Sequence, residues 1–590
     1  MASDCRHWIV EQAMNDNTTS TLDRLTKSAI ARLTGGISPT ALMAAYSDWL
    51  LHLAASPGKQ MELVEKAVTA GSNLMRFAAH SAFEPEIPAP HPAQTVKGDH
   101  RFEDPAWERF PFNLMAQSFL TTEQWWHEAT TGVRGETRQH SEVVSFVTRQ
   151  LLDMMAPTNF VATNPVVLEQ TIVQHGANLM RGLQNFIDDT ARNLAHDKQS
   201  TNHYEVGVNL AVSPGKVILR NRLIELIQYT PTTTEVLAEP ILFVPAWIMK
   251  YYILDLSPVN SLVKYLTDRG HTVFMISWKN PDSGDRDLGM EDYLHLGVAA
   301  ALDAINAIVP GEKIHATGYC LGGTLLSIAA ATMARDGDHR LASITLFAAQ
   351  TDFTEPGEIG LFINESQVTF LEDMMWQKGY LATGQMAGAF QLLRSNDLIW
   401  SRIIHDYLLG QREEMIDLMA WNADATRMPY RMHSEYLREL FLENQLARAQ
   451  FRVGDRAIAL TDIRAPIFAV GTATDHVAPW KSVFKIHQLT DTDVTFLLTS
   501  GGHNAGIVAG PENPRRHYQI SHHGANECHV EPDAWARTMS EHKGSWWPAW
   551  AEWIEAKQAG RPRVAPPAMG DEAAGYTAIE EAPGSYVLQP

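Results

Sequence analysis

The hexapeptide GYCLGG at 318–323 constrains this chain more than any other feature. It follows the short apolar run KIHAT and opens the small-residue segment LGGTLLSIAAATMA. A strand that enters a sharp turn and leaves as a helix is the setting of the G-x-S-x-G nucleophile elbow, here with cysteine in place of serine. The turn strains the nucleophile's backbone, and glycines at the flanking positions let strand and helix pack closely. With 3 Cys and 38 Gly in 590 residues, G-x-C-x-G arises by chance only about 0.01 times before any context is required. A buried structural cysteine is therefore the weaker reading of Cys320. The start of the following helix favours a thiolate, and the amide of Leu321 is a candidate donor to a developing oxyanion.

From about Val206 onward, short apolar runs alternate with helical patterns. The runs are ILFVPA (241–246), HTVFMIS (271–277), KIHAT (313–317), SITLFAA (343–349), PIFAV (466–470) and VTFLL (494–498). Such runs with helices between them predict a parallel sheet with crossover connections. An elbow of this kind needs an acid and then a base, arriving in that order after later strands. GTATDHVAPW places Asp475 after the fifth run, and TSGGHNAGIV places His503 after the sixth. His476 is a rival base, but it precedes the last run. The loop after the first run, PAWIMKYY, offers the amide of Trp247 or Ile248 as second oxyanion donor, and the sequence does not choose between them. These features predict an α/β-hydrolase fold over 201–590, with a helical cap inserted at about 351–460 that acts as a lid.

Residues 1–200 read as a mostly helical domain without a catalytic constellation. Apolar residues recur at helical spacing over 40–54, 59–79, 141–155 and 166–196, and the Pro-rich EPEIPAPHPAQ (84–94) reads as an extended linker. With 47 basic against 68 acidic side chains, a formal charge of -21, the chain has no nucleic-acid footprint and no global attraction for an anionic substrate. Cys5, Cys320 and Cys528 are too few and too scattered for a disulfide framework or a zinc site, and no metal or redox cofactor is expected. No apolar run approaches the roughly 20 residues that span a bilayer, and the start carries no signal-like segment, so a cytoplasmic protein is expected.

GYCLGG, FVPAWIMKYYILDLSP, TVFMISWKNP, GTATDHVAPW and LLTSGGHNAGIV together resemble the polyhydroxyalkanoate synthases, most closely the class built from one kind of subunit that uses short-chain 3-hydroxyacyl-CoA. The resemblance covers roughly 97–560 and continues weakly into GYTAIEEAPGSYV. It implies Cys320 as nucleophile, His503 as base and Asp475 as its partner. It also implies that Trp421, in LMAWNADATRMP, is a cap residue associated with dimer formation, and that the enzyme works on the surface of a polyester granule. Asp255 matches a family position without an assigned role here. The CoA thioester would be the substrate, with no bound cofactor. Two other readings are weighed: a thiol hydrolase of the same fold, in which water takes the acyl group, and a non-catalytic coat protein, against which the intact Cys320, Asp475 and His503 argue.

Overall fold

The six apolar runs form the parallel centre of an eleven-stranded sheet. In the computed structural model, which describes residues 21–83, 91–93, 99–195, 204–384, 399–412 and 414–590, the strands of this sheet are β1 (Gly215–Arg220), β2 (Ile224–Tyr229), β3 (Ile241–Val244), β4 (Val273–Trp278), β5 (Ile314–Tyr319), β6 (Leu341–Phe347), β7 (Ile467–Thr472), β8 (Val494–Thr499), β9 (His517–His523), β10 (Glu541–Lys543) and β11 (Glu580–Glu581). Their order is β10-β9-β8-β7-β6-β5-β3-β4-β2-β1-β11. Strands β3 to β8 pair in parallel with one another, and the flanking strands add in antiparallel fashion. This is the architecture expected from the alternation of runs and helices.

Every residue of β3, β4, β5, β7 and β8 is buried. Helices on the faces of a parallel sheet bury both sides, which explains runs of Val, Ile, Leu and Phe without alternation. The two outermost strands, β10 and β11, are short and charged, which discourages pairing with other chains. The C-terminal residues are stitched to β2. The buried Glu225 carboxylate accepts from the Ser585 hydroxyl (2.7 Å) and the Tyr586 amide (2.9 Å), and it pairs with Arg220 (2.7 Å).

The described residues fall in two compact units, one within Met1–Gly36, Thr201–Ala387 and Met415–Pro590, the other within Ile37–Ser200 and Gly388–Glu414. The second unit is helical. Its helices Pro39–Ala54, Arg138–Met154 and Pro165–Val173 start where Ser38, Thr137 and Asn164 accept from free amides of the first turn, with proline opening two of them. The single helix expected over 166–196 is two, Pro165–Val173 and Ala177–Ala195. His175 (φ 50°) and Gly176 (φ 83°) take left-handed conformations between them. A further helix, Phe112–Ala129, is added to those expected. Of the Pro-rich stretch 84–94, residues 84–90 and 94 lie outside the described residues, as does Cys5.

These divisions differ from the expected break at residue 200. Residues 21–36 belong with the hydrolase unit because they dock on the cap helix Glu365–Lys378: Lys27 Nζ lies 3.1 Å from Asp373, and Gln367 Nε2 donates to the Gly36 carbonyl at 2.7 Å. The expected cap over 351–460 is likewise divided. Its middle joins the helical unit, where Arg402 and Arg412 pair with Asp189 at 3.1 and 2.6 Å and Asn178 donates to the Leu408 carbonyl.

Candidate active site

Strand β5 ends at Tyr319, and the helix Leu321–Asp336 begins two residues later. Cys320 is the hinge between them, with φ 52° and ψ −124°. A non-glycine residue there costs on the order of 1–3 kcal/mol, strain that only the surrounding packing sustains. The Cys320 amide donates to the Phe347 carbonyl of β6 at 2.8 Å, which ties the strained residue to the neighbouring strand. The glycines are required by close approach. A Cβ on Gly318 would lie 2.3 Å from Gly323 Cα, and one on Gly322 would lie 2.0 Å from the Val244 carbonyl oxygen. Leu321 opens the helix, so its N–H has no intrahelical acceptor.

Asp475 follows the end of β7 and His503 follows the end of β8. Asp475 Oδ2 lies 2.7 Å from His503 Nδ1 and accepts from Thr472 Oγ1 at 2.7 Å. Its Oδ1 accepts from the amides of Val477 and Ala478, both at 2.8 Å. Burial pushes the Asp475 carboxyl up, but His503, Thr472 and the Ala478 amide outweigh it and hold the pKa below the usual value. Burial likewise pulls His503 down. The Asp475 carboxylate and the Cys320 sulfur, which is within hydrogen-bonding reach of the ring, reverse this and raise its pKa well above the ordinary imidazole value. His503 is thus bracketed by Asp475 and Cys320. Its Nδ1–H is donated to Asp475.

The loop after β3 is gripped by the cap. Thr426 Oγ1 donates to the Trp247 carbonyl at 3.3 Å and its amide to the Ile248 carbonyl at 3.4 Å, while Met249 bridges to Ala425. Both residues proposed for the second oxyanion donor are buried in this loop, and the structure does not single out one amide. Trp421, in the helix Asp417–Ala423, is 1% exposed, and its indole N–H donates to the Lys250 carbonyl at 2.8 Å. Within one chain it is therefore a bolt between the cap and the β3 loop. Asp255 sits apart from Cys320 in a separate polar cluster. Burial raises its pKa, and its carboxylate accepts from Ser213 (2.5 Å) and Ser261 (2.7 Å).

Sequence reasoning missed three further residues at the site. Tyr319 stacks on His503 with centroids 5.6 Å apart and donates to Asn504 Oδ1 at 2.5 Å, which fixes both the ring and the loop. The buried cap residue Tyr436 packs edge-on against Trp247 at 6.1 Å and lies close enough to Cys320 to feel its charge. Tyr319 is the x of G-x-C-x-G, where any residue satisfies the pattern. Tyr436 lies in no motif, and Asn504 lies within TSGGHNAGIV, where only the histidine was read as functional.

Fold and site define an α/β-hydrolase with cysteine at the elbow. The description "alpha/beta hydrolase fold" matches residues 239–509, "Poly-beta-hydroxybutyrate polymerase (PhaC) N-terminus" matches 98–266, and "Poly-beta-hydroxybutyrate polymerase N terminal" matches 17–59. A poly(3-hydroxyalkanoate) polymerase of Methylorubrum extorquens is 40% identical over 493 residues, covering 83% of this chain and 80% of that protein. Polymerase subunits of Rhizobium meliloti and Cupriavidus necator are 38% and 35% identical, covering 84% and 83% of this chain and 80% and 83% of their own lengths. The chain belongs to the poly(3-hydroxyalkanoate) polymerase family and is an acyltransferase.

Proposed function

We propose that the enzyme polymerises (R)-3-hydroxyacyl-CoA, with 3-hydroxybutyryl-CoA preferred, through an acyl group carried on Cys320, and releases CoA. The observation that carries this reading is the hinge cysteine at φ 52° beside an imidazole already paired with Asp475 at 2.7 Å. His503 takes the Cys320 proton, and the thiolate attacks the thioester carbonyl. The oxyanion is met by the Leu321 amide and by that of Trp247 or Ile248. Collapse expels the CoA thiolate, which takes the proton back from His503. The neutral imidazole then removes the proton of an incoming 3-hydroxyl. That oxygen attacks the acyl-cysteine, and an ester forms as the Cys320 thiolate leaves. Exchanging one thioester for another is nearly isoenergetic, so the acyl group stays activated. The cap keeps water from the acyl-enzyme.

No bound cofactor takes part in these steps. A pocket separates chain lengths by only about 1–3 kcal/mol per methylene, so 3-hydroxydecanoyl-CoA should be a poorer substrate and not an excluded one. Among the described residues no helix is long and apolar enough to cross a membrane. Because the insoluble product stays attached while it grows, the enzyme is proposed to move from cytosol to the granule surface, and to act as a homodimer.

The deciding experiment measures CoA release and product size with 3-hydroxybutyryl-CoA and butyryl-CoA. Butyryl-CoA can acylate Cys320 but has no hydroxyl to continue, so it should give at most a stoichiometric burst. Sustained conversion to butyrate would establish the hydrolase reading instead.

A further inference from the structure

We propose that His487, His523 and His529 form a binding site for one divalent transition-metal ion of the zinc type, at the end of the sheet opposite the nucleophile. One ring nitrogen from each of the three lies within 4.8 Å of the others. His487 belongs to the short helix Ile486–Leu489, His523 ends β9, and His529 lies in the segment that follows. Three separate stretches of the hydrolase unit therefore converge. The rings are packed face to edge and face to face: centroids are 5.0 Å apart for His487–His523 and 5.3 Å for His487–His529, and the His523 and His529 rings stack at 11°.

A cluster of histidines can be mere packing, and His487 argues against that here. It is 6% exposed, and its Nδ1 is bonded to the Phe484 carbonyl, which places the proton there and leaves a lone pair on Nε2. That Nε2 is buried with no hydrogen-bond partner. A buried acceptor left empty costs on the order of 1–3 kcal/mol, and a metal would satisfy it. A backbone carbonyl on one nitrogen with metal on the other is the usual arrangement of a ligating histidine. Glu527 Oε2 stands 3.6 Å from His523 Nδ1 and could orient that ring or supply a fourth ligand.

Tetrahedral zinc with nitrogen ligands at about 2.0–2.1 Å needs nitrogens about 3.4 Å apart. The required closure of the cluster falls on His523 and the exposed His529, whose side chains have room to turn. An all-imidazole donor set suits Zn²⁺, Co²⁺, Ni²⁺ and Cu²⁺ and disfavours Mg²⁺ and Ca²⁺. His523 pairs with Val494, the first residue of β8, whereas His503 follows the last. Six strand residues span about 20 Å. The metal would therefore clip the 524–531 segment to the sheet and take no part in acyl transfer.

The test uses untagged, full-length protein stripped with chelator. Co²⁺ is titrated while its visible d–d bands are followed, Zn²⁺ is used to displace it, and thermal unfolding is recorded with and without Zn²⁺. The expected result is one saturable equivalent and a higher Tm with metal. Affinity should fall at least tenfold in both His523→Ala and His529→Ala and should be unchanged in Cys528→Ala. Absence of a saturable equivalent would overturn the site, and so would parent-like affinity in the two histidine variants, because the other histidines among the 24 of the chain would then be the ligands.

Discussion

Cys320 is held by geometry that alanine can imitate, since its hinge conformation depends on Gly318, Gly322 and the Phe347 carbonyl and not on its sulfur. Cys320→Ala should therefore abolish turnover and leave Tm within a few degrees of the parent, measured by CoA release and thermal unfolding. Cys320→Ser should be severely impaired, because an alkoxide is harder to form and an oxygen ester holds the acyl group less reactively. His503→Ala should lower the rate by about 10²–10⁴ if it is the general base, while His476→Ala should stay near the parent rate. The opposite ranking of the two histidines would remove His503 from the mechanism. The Asp475–His503 pair also has a stability signature. The folded-state pKa of His503 is raised, so its contribution is fully present below the unfolded value of about 6.5 and is lost as pH rises through the folded pKa. The Tm difference between parent and His503→Gln should accordingly be largest at mildly acid pH and shrink above neutrality.

At the scale of elements, the cap and the β3 loop act as one piece, joined by Trp421, Thr426 and Ala425. Cys320 is only 8% exposed, and movement of this piece would open a path to it. Trp421→Ala removes a buried indole and its bond to Lys250, a loss typical of about 3–5 kcal/mol. In a Cys5→Ala/Cys528→Ala background, the variant's Cys320 should react faster with a thiol reagent and more acyl-enzyme should be lost to water. Unchanged labelling would show that the bolt does not control access. The same elements show what was legible in the sequence. The six central strands could be read because burial on both faces demands unbroken Val, Ile and Phe. Strand β2 was hidden because Glu225 and Gln228 interrupt it, and their partners lie more than 300 residues later, at Ser585 and Ala568. Asp475 and His503 could be placed because strand ends dictate where such residues must stand. Trp421 entered only through the family resemblance, since an aromatic in a helical segment otherwise reads as core, and the structure does bury it. His487, His523 and His529 were invisible because their spacing fits no metal motif and only the sheet brings them together.

For the whole molecule, the governing quantity is a formal charge of -21 against the proposed CoA-ester substrate, itself a polyanion. Long-range repulsion lowers the rate at which CoA esters reach the chain, in proportion to the field that survives screening. The Debye length falls from about 30 Å at 0.01 M salt to about 8 Å at 0.15 M. Moderate salt should therefore raise kcat/KM for 3-hydroxybutyryl-CoA, mainly through KM, and the gain should level off once the distant carboxylates are screened. The acylation step itself should not respond, because Cys320 and Asp475 are buried, His503 is half-buried between them, and the three interact at short range. Single-turnover acylation at saturating substrate should be flat over the same range, which separates encounter from chemistry. A fall in kcat/KM with salt would mean that a local basic patch, and not the net charge, governs how the CoA moiety is captured.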